Sequence, residues 1–186
     1  MNFLDQLVPE QRTLLVSLPY RVGLYISQSD TSGGDESDDA EMQALDAIIT
    51  GYSQEVFGAE TVQYIIGETV QRKNEWDSWS ANLDGIEHDC YKAIDILSMA
   101  VDEKEVSAFK NHLIEIGESV ALAFREYGAS TPMLDKLRMY LDFKKSRKYT
   151  LKMGGTPMVW EQFINISLDE RKALRFIAQA LNVTYV

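Results

Sequence analysis

With 186 residues, the chain is long enough to bury a core without disulfides, and its 45% hydrophobic and 25% charged residues are typical of a globular protein. A formal net charge of −11 opposes binding of the whole domain to nucleic acid or an anionic membrane surface, because both need a positive face. No apolar run approaches the roughly 18 residues that a membrane-spanning helix needs. We therefore expect no nucleic-acid partner and no membrane insertion.

The expected compartment follows from the only cysteine and from the N-terminus. Cys90 cannot form an intramolecular disulfide, which fits a reducing environment. The segment from Met1 to Gln11 has neither the basic start nor the cleavage site of a secretory signal. Together these features predict a cytoplasmic protein.

The first half of the chain shows apolar residues at helical spacing. A short helix is predicted from Val8 to Val16, and Ser17 caps a second helix with Pro19 in its first turn. The segment from Gln28 to Asp38, which contains two adjacent glycines, is predicted to be a loop. The spacing of Asp38 and Glu41, close to that of a capping box, starts the next helix, which ends near Gly58.

The second half repeats this pattern up to the C-terminus. Helices are predicted over residues 59–73, from near Trp76 to Val101, over 103–127 and over 131–143. Ser167 to Glu170 forms a capping box that opens the last helix, with Leu174, Ile177, Ala178 and Leu181 facing inward. The sequence thus predicts an all-α fold in which residues 1–186 form a single-domain, irregular bundle of about eight helices.

Charge is unevenly distributed along the chain. Val22 to Gln71 contains ten acidic residues and no lysine or arginine, whereas Asp135 to Lys152 contains seven basic residues and two acidic ones. The plainest interpretation of the basic segment is a solvated helix end with a basic loop. The alternatives are an anionic ligand, or a contact with the acidic half within one chain or in a dimer.

The early acidic segment is the best chemical candidate in the sequence. Six carboxylates lie between Asp30 and Glu41, with serine and threonine oxygens among them. Hard cations such as Ca²⁺ and Mg²⁺ bind several oxygen ligands on a loop. The segment has the length of an EF-hand loop, but Asp35 occupies the sixth position, where an EF-hand needs glycine, so an EF-hand is excluded. A looser Ca²⁺ or Mg²⁺ site and a solvated, helix-capping loop both stay open.

Catalytic motifs are absent from the sequence, and no catalytic or cofactor-binding residue is assigned. His88 and His112 fall in separate predicted helices, and no nucleophile elbow, phosphate-binding loop or dinucleotide motif occurs. His88 is expected to be exposed and Cys90 buried. The aromatic residues are interpreted as core more readily than as a pocket lining; they are Trp76, Trp79, Tyr91, Trp160 and Phe163.

Two segments resemble the tellurite-resistance TerB-like family. ISLDERKALRFIAQALNV looks like its closing helix, and YISQSDTSGGDESDDAEMQALDAII is similar to its acidic loop and following helix, although the family's Asp-Gly pair is lost at Asp30-Thr31. The resemblance covers about a third of the chain. It implies an all-helical protein without established enzymatic activity and with a divalent-cation site. By position, the implied ligands are Asp30, Asp35, Asp38 and Glu41.

Three functional hypotheses stay open. The favoured one is a non-enzymatic, stress-related cytoplasmic module that binds a protein partner or a divalent cation through the acidic segment. The second is a structural or interaction protein that self-associates without metal. The third is an enzyme with a helical pocket, in which His88 or His112 acts as the acid–base group.

Overall fold

A computed structural model of the protein describes residues 2–29, 35–54, 58–81, 83–123, 133–152, 157, 159 and 166–185. This part is predominantly helical and contains no β-strand, which confirms the predicted all-α class. Short 3-10 turns lie at Phe3–Gln6 and Lys73–Glu75. The eight α-helices in the described ranges are α1 (Pro9–Ser27), α2 (Asp35–Gln54), α3 (Glu60–Gln71), α4 (Trp76–Ser80), α5 (Ile86–Ala100), α6 (Glu103–Ala123), α7 (Met133–Lys152) and α8 (Leu168–Ala180).

Helix α1 occupies the centre of the fold and packs against α2, α3, α4, α5, α6 and α8. Every residue from Leu15 to Leu24 is buried, as expected for a helix surrounded on all sides. The predicted break at Ser17 is wrong, because α1 continues through Pro19. A proline inside a helix costs about 3 kcal/mol. Burial of the apolar side chains around it offsets this cost, and Ser17 Oγ donates to Leu14 O instead of capping a new helix.

Two glycines let the central helices approach one another closely. A Cβ atom at Gly117 of α6 would lie 2.8 Å from Leu174 Cδ2 and 3.3 Å from Ile26 Cγ1. A Cβ atom at Gly23 of α1 would lie still closer to Leu45 Cδ1. A side chain at either position would have to displace Leu174 Cδ2 or Leu45 Cδ1, so the two glycines let the helices pack together with these leucines in their present positions.

The region from Trp76 to Val101 is divided into two helices, and the prediction of one helix there is wrong. The five-residue α4 ends at Ser80, and α5 begins at Ile86, directly after Gly85. Ile86 N donates to Leu83 O at 3.0 Å, which closes the turn before α5. The division allows α4 and α5 to pack separately against α1.

The C-terminal helices differ in how closely they follow the prediction. The predicted basic loop is helical, because α7 continues beyond Phe143 to Lys152. The predicted capping box before α8 is confirmed: Ser167 Oγ accepts from Glu170 N at 3.1 Å, and Glu170 Oε2 accepts from Ser167 N at 2.8 Å. The four residues predicted to face inward from this last helix are all buried, namely Leu174, Ile177, Ala178 and Leu181.

The acidic segment enters helix earlier than predicted. Helix α2 begins at Asp35, three residues before the predicted cap at Asp38. Carboxylates in the first turns of a helix favour it, since they lie near the positive end of the helix dipole. Among the described residues, none of the helices has the length and apolar character that crossing a bilayer requires.

Candidate functional site

An open groove of about 540 Å³ lies where α4 and α5 pack against the N-terminal half of α1. Its lining combines hydroxyls, carboxylates and one guanidinium with the apolar surface of a tryptophan, a leucine and a proline. The lining residues are Pro9, Glu10, Thr13, Leu14, Ser17, Arg21, Ser78, Trp79 and Asp89.

Helix α1 supplies one continuous side of the groove through positions about four residues apart. Thr13, Ser17 and Arg21 follow each other at that interval and therefore share one face of the helix. Glu10 extends the same face to the exposed end of the groove. These polar positions bring their side chains to the place where α4 and α5 pack against α1.

An ion pair between α1 and α5 lies at the inner end of the groove. Arg21 Nη1 and Asp89 Oδ2 are 2.7 Å apart, and the two side chains are 8% and 22% exposed. An unpaired guanidinium at this depth would lose several kcal/mol of hydration, which the carboxylate at contact distance compensates. Asp89 is the more exposed partner, and both residues line the groove.

The wall formed by α4 is an aromatic cluster. The Tyr20 ring stacks on Trp76 with centroids 4.4 Å apart, and the centroid of the Trp79 ring lies 6.4 Å from that of Tyr20. Trp76 Nε1 donates to Thr69 O, which fixes the indole in the core. The prediction that Trp76 and Trp79 belong to the core fits their burial, yet Trp79 also lines the groove.

A chain of charged side chains supports the outer rim. Arg72 Cζ lies 5.4 Å from the centroid of the Trp79 ring, and Arg72 Nη2 donates to Thr13 Oγ1 at 3.0 Å. Arg72 also donates to both carboxylate oxygens of Glu75, and this bonding lowers the pKa of Glu75. Arg12 forms an equivalent bidentate contact with the carboxylate of Glu68. These pairs hold Thr13 and Trp79 in place and leave their cations balanced by carboxylates.

The residues predicted to ligate a cation are not among the described residues that line this groove. Asp35, Asp38 and Glu41 lie in the first two turns of α2, but their side chains fall outside the described part of the structure. Asp30 also lies outside the described residues. Where side chains are described, no group of three or more histidine, cysteine or acidic residues could hold a metal ion. The predicted cation site therefore stays a prediction.

The two histidines differ in their exposure to solvent. His88 is exposed on α5, as predicted, and does not line the groove. His112 of α6 is 3% exposed, and burial lowers its pKa to about 4. Its ring makes an edge contact with Tyr52, with centroids 4.9 Å apart. Cys90 is buried, as predicted, and burial raises the pKa of its thiol to about 12, so it is held as an unreactive thiol.

The sequence contained one local indication of the groove that its interpretation missed. Arg21 is the only charged residue between Thr13 and Ser29, in a run otherwise rich in apolar side chains. A charged residue within a buried helix requires a partner of opposite charge. The identity of that partner, Asp89, depends on how α5 packs and could not be read from local spacing.

Comparisons of the chain with protein-family models, with curated proteins and with solved structures gave no match.

Proposed function

We propose that this protein is a non-enzymatic binding module that holds a small ligand in the groove between α1, α4 and α5. The observation that carries the proposal is the groove itself, which has a volume of about 540 Å³ and a charged pair at its inner end. Ligand sites typically have volumes of roughly 300–1,000 Å³ and combine apolar walls with a few convergent polar groups. This groove meets both conditions.

The hydrogen bonds of the lining hydroxyls support binding over catalysis. Ser17 Oγ donates to Leu14 O, and Ser78 Oγ donates to Glu75 O at 2.6 Å. A nucleophilic serine donates instead to a general base that removes its proton. The two serines of the groove are therefore arranged to contact a ligand and not to attack it.

Three further parts of the proposal come from the sequence. We place the protein in the cytoplasm, where a lone buried Cys90 stays reduced. We keep the acidic segment as an independent cation site, because loops rich in carboxylates are chemically suited to Ca²⁺ or Mg²⁺. A role in stress response rests on the resemblance to the TerB-like family alone.

Nuclear magnetic resonance of ¹⁵N-labelled protein tests the groove directly. A mixture of small charged and neutral compounds should shift the Trp79 indole signal and leave the Trp76 indole signal nearly unchanged, because only Trp79 lines the groove. Substituting Trp76 and, separately, Trp79 by phenylalanine assigns their two indole signals.

A pair of serine variants provides the matched control. Ser78→Tyr places a ring at the exposed edge of the groove and should abolish the shifts. Ser98→Tyr introduces the same ring at an exposed position on α5, where Ser98 Oγ also donates to a backbone carbonyl, and should leave them intact. Shifts that persist in Ser78→Tyr, or their absence in the unaltered protein, would refute the groove as the ligand site.

A further inference from the structure

We propose that the ligand of the groove is a small organic cation, with an ammonium or guanidinium group on a short apolar stem. This inference rests on the proposed function and adds the chemical class of the ligand. Three properties of the described lining carry it: the protons of its two serine hydroxyls are already used, its charges sum to a negative value, and it combines apolar with polar surface.

The serine hydroxyls turn the groove into a surface of hydrogen-bond acceptors. The protons of Ser17 Oγ and Ser78 Oγ are directed to the backbone carbonyls of Leu14 and Glu75. What these oxygens still offer to a ligand is lone pairs, which require a donor. Thr13 differs from the two serines, because its Oγ1 accepts a hydrogen bond from Arg72. A ligand rich in N–H groups matches two of the three hydroxyls.

The charges of the lining favour the same class of ligand. Glu10 and Asp89 contribute two carboxylates, and Arg21 contributes one guanidinium. Arg21 is the most deeply buried of the three, and its charge is met by Asp89 at 2.7 Å. The groove therefore carries one net negative charge, within a chain whose formal net charge is −11. Both the local and the overall field attract cations and repel anions.

The cations near the rim do not reverse this balance. Arg72, which faces Trp79, forms an ion pair with Glu75 at 2.6 Å and lies 3.7 Å from Glu68. The carboxylates next to Arg72 therefore carry at least as much negative charge as Arg72 carries positive charge.

The apolar part of the lining defines the stem of the ligand. Trp79 of α4 faces the part of α1 that carries Leu14 and Pro9, and these three residues provide the apolar surface of the groove. A short alkyl chain can lie along them while its charged head lies in the field of the Asp89 and Glu10 carboxylates. An aromatic ring also attracts a cation close to its face.

Four probes with short, unbranched alkyl stems separate the head groups: butylammonium, butylguanidinium, butyrate and butanol. Each is titrated into ¹⁵N-labelled protein at constant ionic strength while the Trp79 indole signal is followed. We expect both cations to bind at least about tenfold more tightly than butyrate, since attraction replaces repulsion at the carboxylates.

Glu10→Gln should weaken the binding of the cations by about twofold to fivefold, the range of an exposed charge pair. Asp95→Asn, an equal charge change at an exposed position of α5 outside the lining, should leave their affinity unchanged.

The outcomes distinguish the two proposals. If butyrate or butanol binds as tightly as the cations, or if Glu10→Gln and Asp95→Asn have equal effects, the cation assignment is wrong while the groove remains a ligand site. If the cations bind but Ser78→Tyr leaves their binding intact, they bind elsewhere and the cation assignment to this groove fails. If neither these probes nor the broader mixture shifts the Trp79 signal, both proposals fail.

Discussion

The Arg21 guanidinium and the Asp89 carboxylate join the central helix to α5 through a 2.7 Å ion pair that is largely withdrawn from water. The pair is both a structural contact and the inner boundary of the groove. Its two roles can be separated, because stability and ligand binding are measured independently.

The first prediction concerns the stability of this pair. Asp89→Asn leaves the buried Arg21 charge without a compensating carboxylate and should lower the free energy of unfolding in urea by about 3 kcal/mol. Asp95→Asn, at an exposed position on the same helix, should change it by less than about 0.5 kcal/mol. The double variant Arg21→Met/Asp89→Leu should lose less than the single one, because it leaves no isolated charge. Equal losses in the two asparagine variants would contradict a buried pair.

The second prediction uses the glycines at the crossing of the central helices. Gly23→Ala and Gly117→Ala place a methyl group against Leu45 and Leu174, and overpacking of this kind costs about 1–3 kcal/mol. Gly51→Ala is the control, since nothing lies within 4 Å of a Cβ atom there and alanine is favoured over glycine in a helix by about 1 kcal/mol. The melting temperature should therefore fall in Gly23→Ala and Gly117→Ala and rise in Gly51→Ala. A stabilising effect at Gly23 would mean that the helices are further apart than the structure shows.

The third prediction is a pH dependence that comes from His112. Burial lowers its pKa from 6.5 to about 4, so between these values the unfolded chain binds a proton that the folded chain does not. The contribution of His112 to stability is therefore complete above pH 6.5 and is lost as the pH falls towards 4, by about 3 kcal/mol in total. Glu115 Oε2, 3.8 Å away, opposes this effect weakly because it is exposed.

The measurement compares denaturant unfolding at several pH values between 4.5 and 7. His112→Leu should flatten the curve relative to the unaltered protein, whereas His88→Leu should leave its slope unchanged, because His88 is exposed. A parallel pair of curves for the unaltered protein and His112→Leu would show that His112 binds its proton equally well in the folded and unfolded chain, so that folding does not shift its pKa.

The fourth prediction tests the acidic segment. If Asp30, Asp35, Asp38 and Glu41 bind Ca²⁺ or Mg²⁺, the melting temperature must rise with ion concentration, by an amount equivalent to about 1.4 kcal/mol at a tenfold excess over Kd. Sodium chloride at matched ionic strength separates binding from the screening of like charges. Asp35→Asn/Asp38→Asn should remove the response, and Asp95→Asn should preserve it. The absence of any ion-specific shift at millimolar Ca²⁺ and Mg²⁺ would exclude the site.

The fifth prediction follows from the buried thiol. Cys90 is the only cysteine, is fully buried and has its pKa raised to about 12. Alkylation by iodoacetamide at pH 8 should therefore require the opening of α5 and proceed orders of magnitude more slowly than in concentrated guanidinium chloride. Asp89→Asn should accelerate it by about tenfold for each 1.4 kcal/mol of stability lost. Native labelling at the rate of a free thiol would show that the α5 core is open.

The sequence identified features that depend on near neighbours in the chain. The apolar stripe ending at Leu181 predicted which side of the last helix is buried, and Ser167 with Glu170 predicted its first residue. Both rest on spacings of three or four residues, which the helix geometry translates directly into a face or a cap. The all-α class follows from the repetition of such stripes.

Features that depend on distant packing were beyond the sequence. Ser17 and Pro19 are genuine signals for a helix start, and burial among six other helices overrides them in α1. The groove combines α1, α4 and α5, and no local pattern indicates that Arg21 meets Asp89, 68 positions later. The break before Ile86 was indicated by Gly85, a glycine that the apolar periodicity outweighed.

The position of α1 in the chain has a consequence for how the protein folds. Helix α1 is synthesised before the other described helices, yet it is covered in part by α8, the last of them, which begins at Leu168. Contacts between segments so distant in sequence form slowly, because closing a long loop has an entropic cost. A growing chain that has reached only α5 therefore exposes the apolar surface of α1 that α6 and α8 later cover. We expect nascent or truncated forms that lack α8 to attract chaperones and to aggregate, although the completed chain surrounds the same helix with other helices.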